Sequence, residues 1–211
     1  MKTALIIGAS GMIGKELTRA ILESNEYEKL TLLLRSPLTI RNPKLEQHIY
    51  DFDQPKPEKI MADHIFCCLG STIKKAGSKE RFYQIDHDYA LTTARMALLN
   101  HASLFSLVSS MGADPKSRIF YNQTKGKLEE DLKGLNFPSL QIFRPSLLLG
   151  ERKEKRFGEK VAQVLMTKLD FLIPEKYKAI ESKTVAMAMV ANALANSTGF
   201  KLIENDQIPE F

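Results

Sequence analysis

Short apolar runs and amphipathic stretches alternate along the first two thirds of the chain. Ala4-Leu5-Ile6-Ile7 reads as a first strand, and residues 13–24 follow with Ile13, Leu17, Ala20, Ile21 and Leu22 at helical spacing. The rhythm then repeats. Leu30 to Leu34 reads as a second strand, His48 to Phe52 as a weaker third, and Ile65 to Leu69 as a fourth. Residues 80–100 read as a long helix on Phe82, Ile85, Tyr89, Thr93, Met96 and Leu99. Leu104 to Val108 is a fifth strand, residues 121–133 another helix, and Leu140 to Phe143 a sixth strand. The strands are apolar throughout rather than alternating, as strands covered by helices on both faces are. Strands of that kind separated by helices predict an α/β fold with a doubly wound, mostly parallel sheet.

The rhythm breaks after residue 145. Residues 151–160 are densely charged, 157–170 and 182–196 have helical spacing, and Lys201-Leu202-Ile203 reads as a late strand. No linker marks a boundary. The expectation is a single domain over 1–211, with a cofactor-binding core in 1–145 and a small C-terminal helical cap in 146–211.

Ligands of such sheets lie at the carboxyl ends of the strands. Directly after the first strand comes Gly8-x-x-Gly11-x-x-Gly14, opening the first helix. Gly8 permits a tight turn, Gly11 lets the backbone approach a pyrophosphate, and Gly14 allows helix and sheet to pack closely. The helix N-terminus then offers backbone N–H groups and a positive dipole end to phosphate, and Ser10 adds a hydroxyl. Strand, turn and helix together read as the phosphate loop of a Rossmann-type dinucleotide site.

Twenty-one residues past Gly14 the second strand closes on Arg35-Ser36, where an enzyme selective for NAD places an acid for the ribose hydroxyls. A guanidinium pairs bidentately with phosphate oxygens, so NADP(H) is the expected cofactor. Tyr121-x-x-x-Lys125 opens a helix with both side chains on one face, and Ser109-Ser110 ends the strand before it. A Tyr hydroxyl can pass a proton to a carbonyl oxygen, a nearby ammonium favours the phenolate, and a Ser hydroxyl can orient the substrate. Ser110 is the expected third catalytic residue, and Ser109 takes its place if the strand ends one residue earlier.

Composition changes little. Hydrophobic residues are 44%, charged residues 26% and the net charge +5, which suits a soluble protein with an anionic cofactor. No basic tail or reader motif points to nucleic acid, and no apolar stretch reaches the roughly 18 residues of a membrane helix. Cys67 and Cys68 are adjacent in an apolar run and read as buried free thiols in a reducing cytoplasm. His48, His64, His87 and His101 are scattered without metal-ligand spacing, so no metal site is expected. Asp86 and His87 lie in the helix beside the cleft, within reach of a substrate, but read first as helix surface or an N-terminal charge, and Met166, Met187 and Met189 as core or subunit contact.

These features together resemble the atypical, or extended, short-chain dehydrogenase/reductases, which carry GxxGxxG. The resemblance narrows to the Tat-interacting-protein branch through an ordered set of motifs. They are Cys67-Cys68-Leu69-Gly70-Ser71-Thr72 with Lys75-Ala76-Gly77, Asp86-His87-Asp88-Tyr89 and Ser109-Ser110-Met111-Gly112-Ala113-Asp114. Tyr121-x-x-x-Lys125-Gly126-x-x-Glu129, Phe143-Arg144-Pro145-x-x-Leu148-Leu149 and Arg156-x-Gly158-Glu159 complete it, over about residues 3–195.

The resemblance implies a phosphate loop of Ser10, Gly11, Met12 and Ile13, and a 2′-phosphate site of Arg35 and Ser36. Many relatives carry a second Arg where Ser36 stands. It implies further that Leu69 and Gly70 pass the ribose, that Tyr121 and Lys125 are the catalytic pair, and that Leu148 and Arg156 lie near the nicotinamide. In the wider superfamily the position of Asp51 meets the adenine. The expected function is an NADP(H)-dependent oxidoreductase acting on a small carbonyl or alcohol. An NADPH-binding regulator or redox sensor is the alternative, and an epimerase or dehydratase the third. A homodimer or a regulatory protein partner stays open.

Overall fold

The structure, a computed structural model, describes residues 1–150 and 174–210. Seven strands form the main sheet. They are β1 (Lys2–Ile7), β2 (Tyr27–Leu34), β3 (Leu45–Ile49), β4 (His64–Cys67), β5 (Leu104–Val108), β6 (Ser139–Arg144) and β9 (Gly199–Glu204). Their order is β3-β2-β1-β4-β5-β6-β9, and every pairing is parallel. Two short strands, β7 (Leu148–Leu149) and β8 (Ile180–Glu181), pair in a separate small sheet.

The helices are α1 (Met12–Glu23), α2 (Ile73–Ala76), α3 (Lys79–Tyr83), α4 (Tyr89–Leu99), α5 (Phe120–Lys133) and α6 (Ser182–Leu194). They cover both faces of the sheet. Ala4 and Ile6 of β1 point into a cluster with Leu17 and Ile21 of α1 and Val185 and Met189 of α6. Leu5 and Ile7 point the other way, among Ala94 and Ala97 of α4 and Leu128 and Leu132 of α5. Successive side chains of a strand face opposite sides, so a strand buried on both faces must be apolar at every position. That is the pattern the sequence carries.

Two elements depart from the sequence reading. The third strand is Leu45–Ile49 rather than His48–Phe52. It lies at the sheet edge and is half exposed, so it lacks the apolar run by which buried strands are recognised. The helix expected over 80–100 is interrupted by a π-helical turn at Gln84–Asp88. In the C-terminal third, β9 joins the sheet beside β6 and α6 packs on α1. Met189 is buried there as core, whereas Met187 is half exposed on the outer side of α6, which leaves subunit contact from the expected pair of roles. The charged segment, Met166 and the helix expected over 157–170 lie outside the described residues.

The chain runs from β1 outward through β2 and β3, then returns to the other side of β1 at β4. The order reverses between β1 and β4, and a crevice opens at the carboxyl ends of those two strands. Gly8 follows one of them and Cys68-Leu69-Gly70 follows the other.

Candidate functional site

The glycine turn is shaped by what surrounds it. Gly8 has φ +84°, and a Cβ there would lie 2.4 Å from the backbone carbonyl of Cys68. A Cβ on Gly14 would lie 2.3 Å from the Gly8 carbonyl oxygen. Both positions exclude a side chain, one by conformation and contact, the other by contact alone. Gly11 is different. It is exposed, and its amide closes the turn onto the Gly8 carbonyl at 3.0 Å. No side chain caps the start of α1, and no acid lies in its first turn. This end of the helix therefore keeps its positive pole for an outside anion. Ser10 is exposed, Met12 half buried, and Ile13 buried in the core with only its backbone toward the turn.

Arg35 and Ser36 follow β2 and are both exposed. Arg35 makes no side-chain hydrogen bond or ion pair among the described residues. Asp51 lies two residues beyond β3, and its Oδ1 accepts the Asp53 N–H at 2.9 Å. Asp53 in turn is gripped by both terminal nitrogens of Arg81, at 2.9 and 3.1 Å, and by Gln84 Nε2 at 2.9 Å.

At the other end of the crevice stands a buried ion pair. Lys125, 3% exposed, places Nζ 2.8 Å from Oδ1 of Asp86, whose side chain is wholly buried. The other Asp86 oxygen accepts the Ser71 N–H at 2.8 Å. Gly70 lies over the pair, and a Cβ there would sit 3.8 Å from Asp86 Oδ1 and 4.0 Å from Lys125 Nζ. Burial pulls the Lys125 ammonium down, but the Asp86 carboxylate and the Tyr121 hydroxyl outweigh it, and the net direction is upward. Lys125 is thus held charged beside Tyr121. The Tyr121 ring packs on Phe82 at 5.7 Å between centroids. Gly126 lets α5 approach the preceding loop, since a Cβ there would lie 2.2 Å from Pro115 N.

The two serines after β5 differ in their surroundings. Ser109 donates to Glu129 Oε1 at 2.5 Å, and Glu129 is clamped by Arg144 Nε at 3.0 Å and a second guanidinium nitrogen at 2.5 Å. Ser110 Oγ is buried and has no hydrogen-bond partner, a state it shares with Ser106 Oγ, Ser139 Oγ and Gln141 Oε1 elsewhere in the sheet. A buried hydroxyl without a partner is costly unless something outside the chain completes it. Leu148 is half buried in β7. The following Gly150 approaches the phosphate loop, where a Cβ would lie 3.1 Å from Met12 Cε. Arg156 lies outside the described residues.

Asp86 and His87 are a correction. The sequence reading put them on the helix surface, but they are 1% and 4% exposed. The π turn adds a residue to the helical repeat and rotates both side chains inward. His87 then lies between Asp88 at 2.8 Å and Asp131 of α5 at 2.9 Å. One physical signal pointed to Asp86: a lysine buried at the head of α5 needs a carboxylate nearby. Cys67 is buried and Cys68 half buried, and both are free thiols.

The residues present fit a nicotinamide dinucleotide. Gly11 is exposed in the turn, the helix start carries no internal anion, and the Ser110 hydroxyl that follows β5 is buried without a partner. Among the described residues no helix is long and apolar enough to cross a membrane.

No protein-family model matches the sequence. Individual relatives do. The chain is 37% identical to the protein HTATIP2 of Rattus norvegicus over 214 aligned positions, covering 98% of this chain and 88% of that one. It is 32% identical to the mitochondrial protein FMP52 of Saccharomyces cerevisiae, over 78% of this chain and 75% of that one. The fold is shared with a UDP-N-acetylglucosamine 4-epimerase from Methanobrevibacter ruminantium, at TM-score 0.74, 17% identity and coverage of 96% and 76%. The FMP52 relatives correct the cytoplasmic expectation. They are mitochondrial proteins, so adjacent free cysteines do not mark a cytoplasmic member. With HTATIP2 matched along nearly its whole length and this sheet order, the chain belongs to the family of HTATIP2 and FMP52, atypical short-chain dehydrogenase/reductases of Rossmann fold.

Proposed function

We propose that this protein is an NADP(H)-dependent oxidoreductase that interconverts a small carbonyl compound and its alcohol. The observation that carries the reading is the buried Lys125–Asp86 pair beneath Gly70 and beside Tyr121. A lysine is not buried with its counter-ion at the mouth of a crevice for stability, since apolar residues of similar volume serve as well or better. Structural neighbours crystallised with NAD lend support to a nicotinamide cofactor.

Gly8, Ser10, Gly11, Met12, Ile13 and Gly14 hold the pyrophosphate through backbone N–H groups and the pole of α1. Arg35 and Ser36 take the 2′-phosphate, with the Asp51 loop beside the adenine. Leu69, Gly70 and Leu148 would line the nicotinamide half. When bound, the cofactor supplies or accepts the hydride. Tyr121 passes its hydroxyl proton to the substrate oxygen. Lys125, kept charged by Asp86, favours the negative charge that then develops on the Tyr121 oxygen. Ser110 donates to the substrate oxygen and orients it, and its own unmet hydrogen bond is satisfied in the act.

Titration of NADPH and NADH by nicotinamide fluorescence tests the cofactor assignment. The wild type binds NADPH more tightly, and Arg35→Ala weakens NADPH about tenfold or more while leaving NADH unchanged. Equal affinity of the wild type for both dinucleotides contradicts the assignment.

A further inference from the structure

The loop that follows β2 carries Arg35 and Ser36, and its shape is set from β3 by one side chain. Gln47 Oε1 accepts the Leu38 N–H at 2.8 Å. Gln47 Nε2 donates to the carbonyls of Leu38 and Ile40, both at 3.1 Å. A glutamine amide has one acceptor oxygen and two N–H donors, so these three bonds use its donors and one face of its acceptor. It stands in for the strand that this edge of the sheet lacks. Leu38 also packs against the apolar cluster on the α1 face. A groove of about 520 Å³ separates the loop from α1, lined by Lys15, Thr18 and Leu22 on one wall and Leu38, Thr39 and Asn42 on the other.

We infer that Gln47 is a positioning residue for cofactor discrimination: without touching the dinucleotide, it fixes the loop that aims Arg35 at a 2′-phosphate. The inference rests on the proposed NADP(H) reading. A guanidinium gains its advantage over a point charge only when its planar fork faces two phosphate oxygens, so its backbone must be held. Among the described residues, Gln47 is the only one of β3 whose side chain hydrogen-bonds to the backbone of this loop. NADH has no 2′-phosphate, and its binding draws on the glycine turn and α1, which Gln47 does not reach. Loss of Gln47 therefore separates the two cofactors instead of weakening both.

The test is titration of NADPH and NADH against full-length wild type, Gln47→Leu and Gln47→Met, the last being close to glutamine in length and the second variant should leucine impair folding. In either variant the NADPH dissociation constant rises about tenfold while that of NADH stays within about twofold. A wild-type preference for NADPH that both variants keep overturns the inference alone. Equal weakening of both cofactors also overturns it, since that is what a merely structural role produces. A wild type that binds both equally overturns the NADP(H) reading and the inference with it.

Discussion

The two ends of the parallel sheet bury polar groups in opposite ways. At the amino ends, the Tyr27 hydroxyl lies 2.8 Å from His64 Nδ1, and Thr3 gives both its N–H and its hydroxyl to Asp63, at 2.7 and 2.8 Å. Burial pushes the His64 imidazole down to about 4, with Lys2 acting in the same direction, and pushes the Tyr27 hydroxyl up. These groups are paired and the aromatic ones neutral, although the buried Ser139 hydroxyl at the start of β6 has no partner among the described residues. At the carboxyl ends stand a buried ion pair, an uncapped helix start and a buried hydroxyl with no partner. The ionisable groups named at the amino end are committed to the fold, whereas the carboxyl end combines a buried ammonium, a free helix pole and an unmet hydroxyl, and that combination marks the candidate site.

The comparison breaks first at Lys125. Lys125→Met strands the Asp86 carboxylate in the interior and should cost about 3–5 kcal/mol in urea unfolding. The double variant Lys125→Met with Asp86→Leu should recover most of that stability and none of the turnover. If the single variant is as stable as the wild type, the pair is not buried as described. Next comes Gly14→Val, whose Cβ meets backbone at 2.3 and 2.7 Å. It should cost about 3 kcal/mol and abolish dinucleotide binding. A loss under about 1 kcal/mol would mean that α1 can lift off the turn.

The amino end answers to pH. His64 takes up a proton near pH 6.5 when unfolded but only near pH 4 in the fold. The unfolded state therefore binds more protons between those values, and stability rises with pH across that window. Stability is complete above about pH 6.5 and falls by roughly 2–3 kcal/mol as the pH drops toward 4. His64→Gln should flatten that slope in thermal melts from pH 7.5 to 4.5. Parallel slopes for variant and wild type would assign the acid sensitivity elsewhere.

Local chemistry was legible in the sequence, and long-range pairing was not. The glycine turn and the Tyr121–Lys125 pair are each contained in one strand–turn–helix unit or one helical turn, so spacing alone describes them. The buried strands announced themselves by unbroken apolar runs. β3 did not, because at the sheet edge Glu46 reaches Lys29 at 2.9 Å in solvent and Ile49 is exposed. Asp86 was missed for two reasons. Its partner is 39 residues away, and the π turn moves it off the 3.6-residue period by which helix faces are read. The choice between Ser109 and Ser110 likewise turns on Glu129, which reaches Ser109 from α5, 20 residues along the chain. Gln47 carried no local signal at all, since a polar residue on an edge strand is ordinary.

The most direct test of the central claim is turnover in Tyr121→Phe. Oxidation of NADPH is followed at saturating cofactor across a panel of small aldehydes and ketones, with NADPH affinity measured in parallel. The account predicts that the wild type consumes NADPH with at least one of them, and that Tyr121→Phe binds NADPH as before but turns over about a hundredfold or more slowly. Undiminished turnover in Tyr121→Phe, or tight NADPH binding with no carbonyl reduced by the wild type, would contradict it.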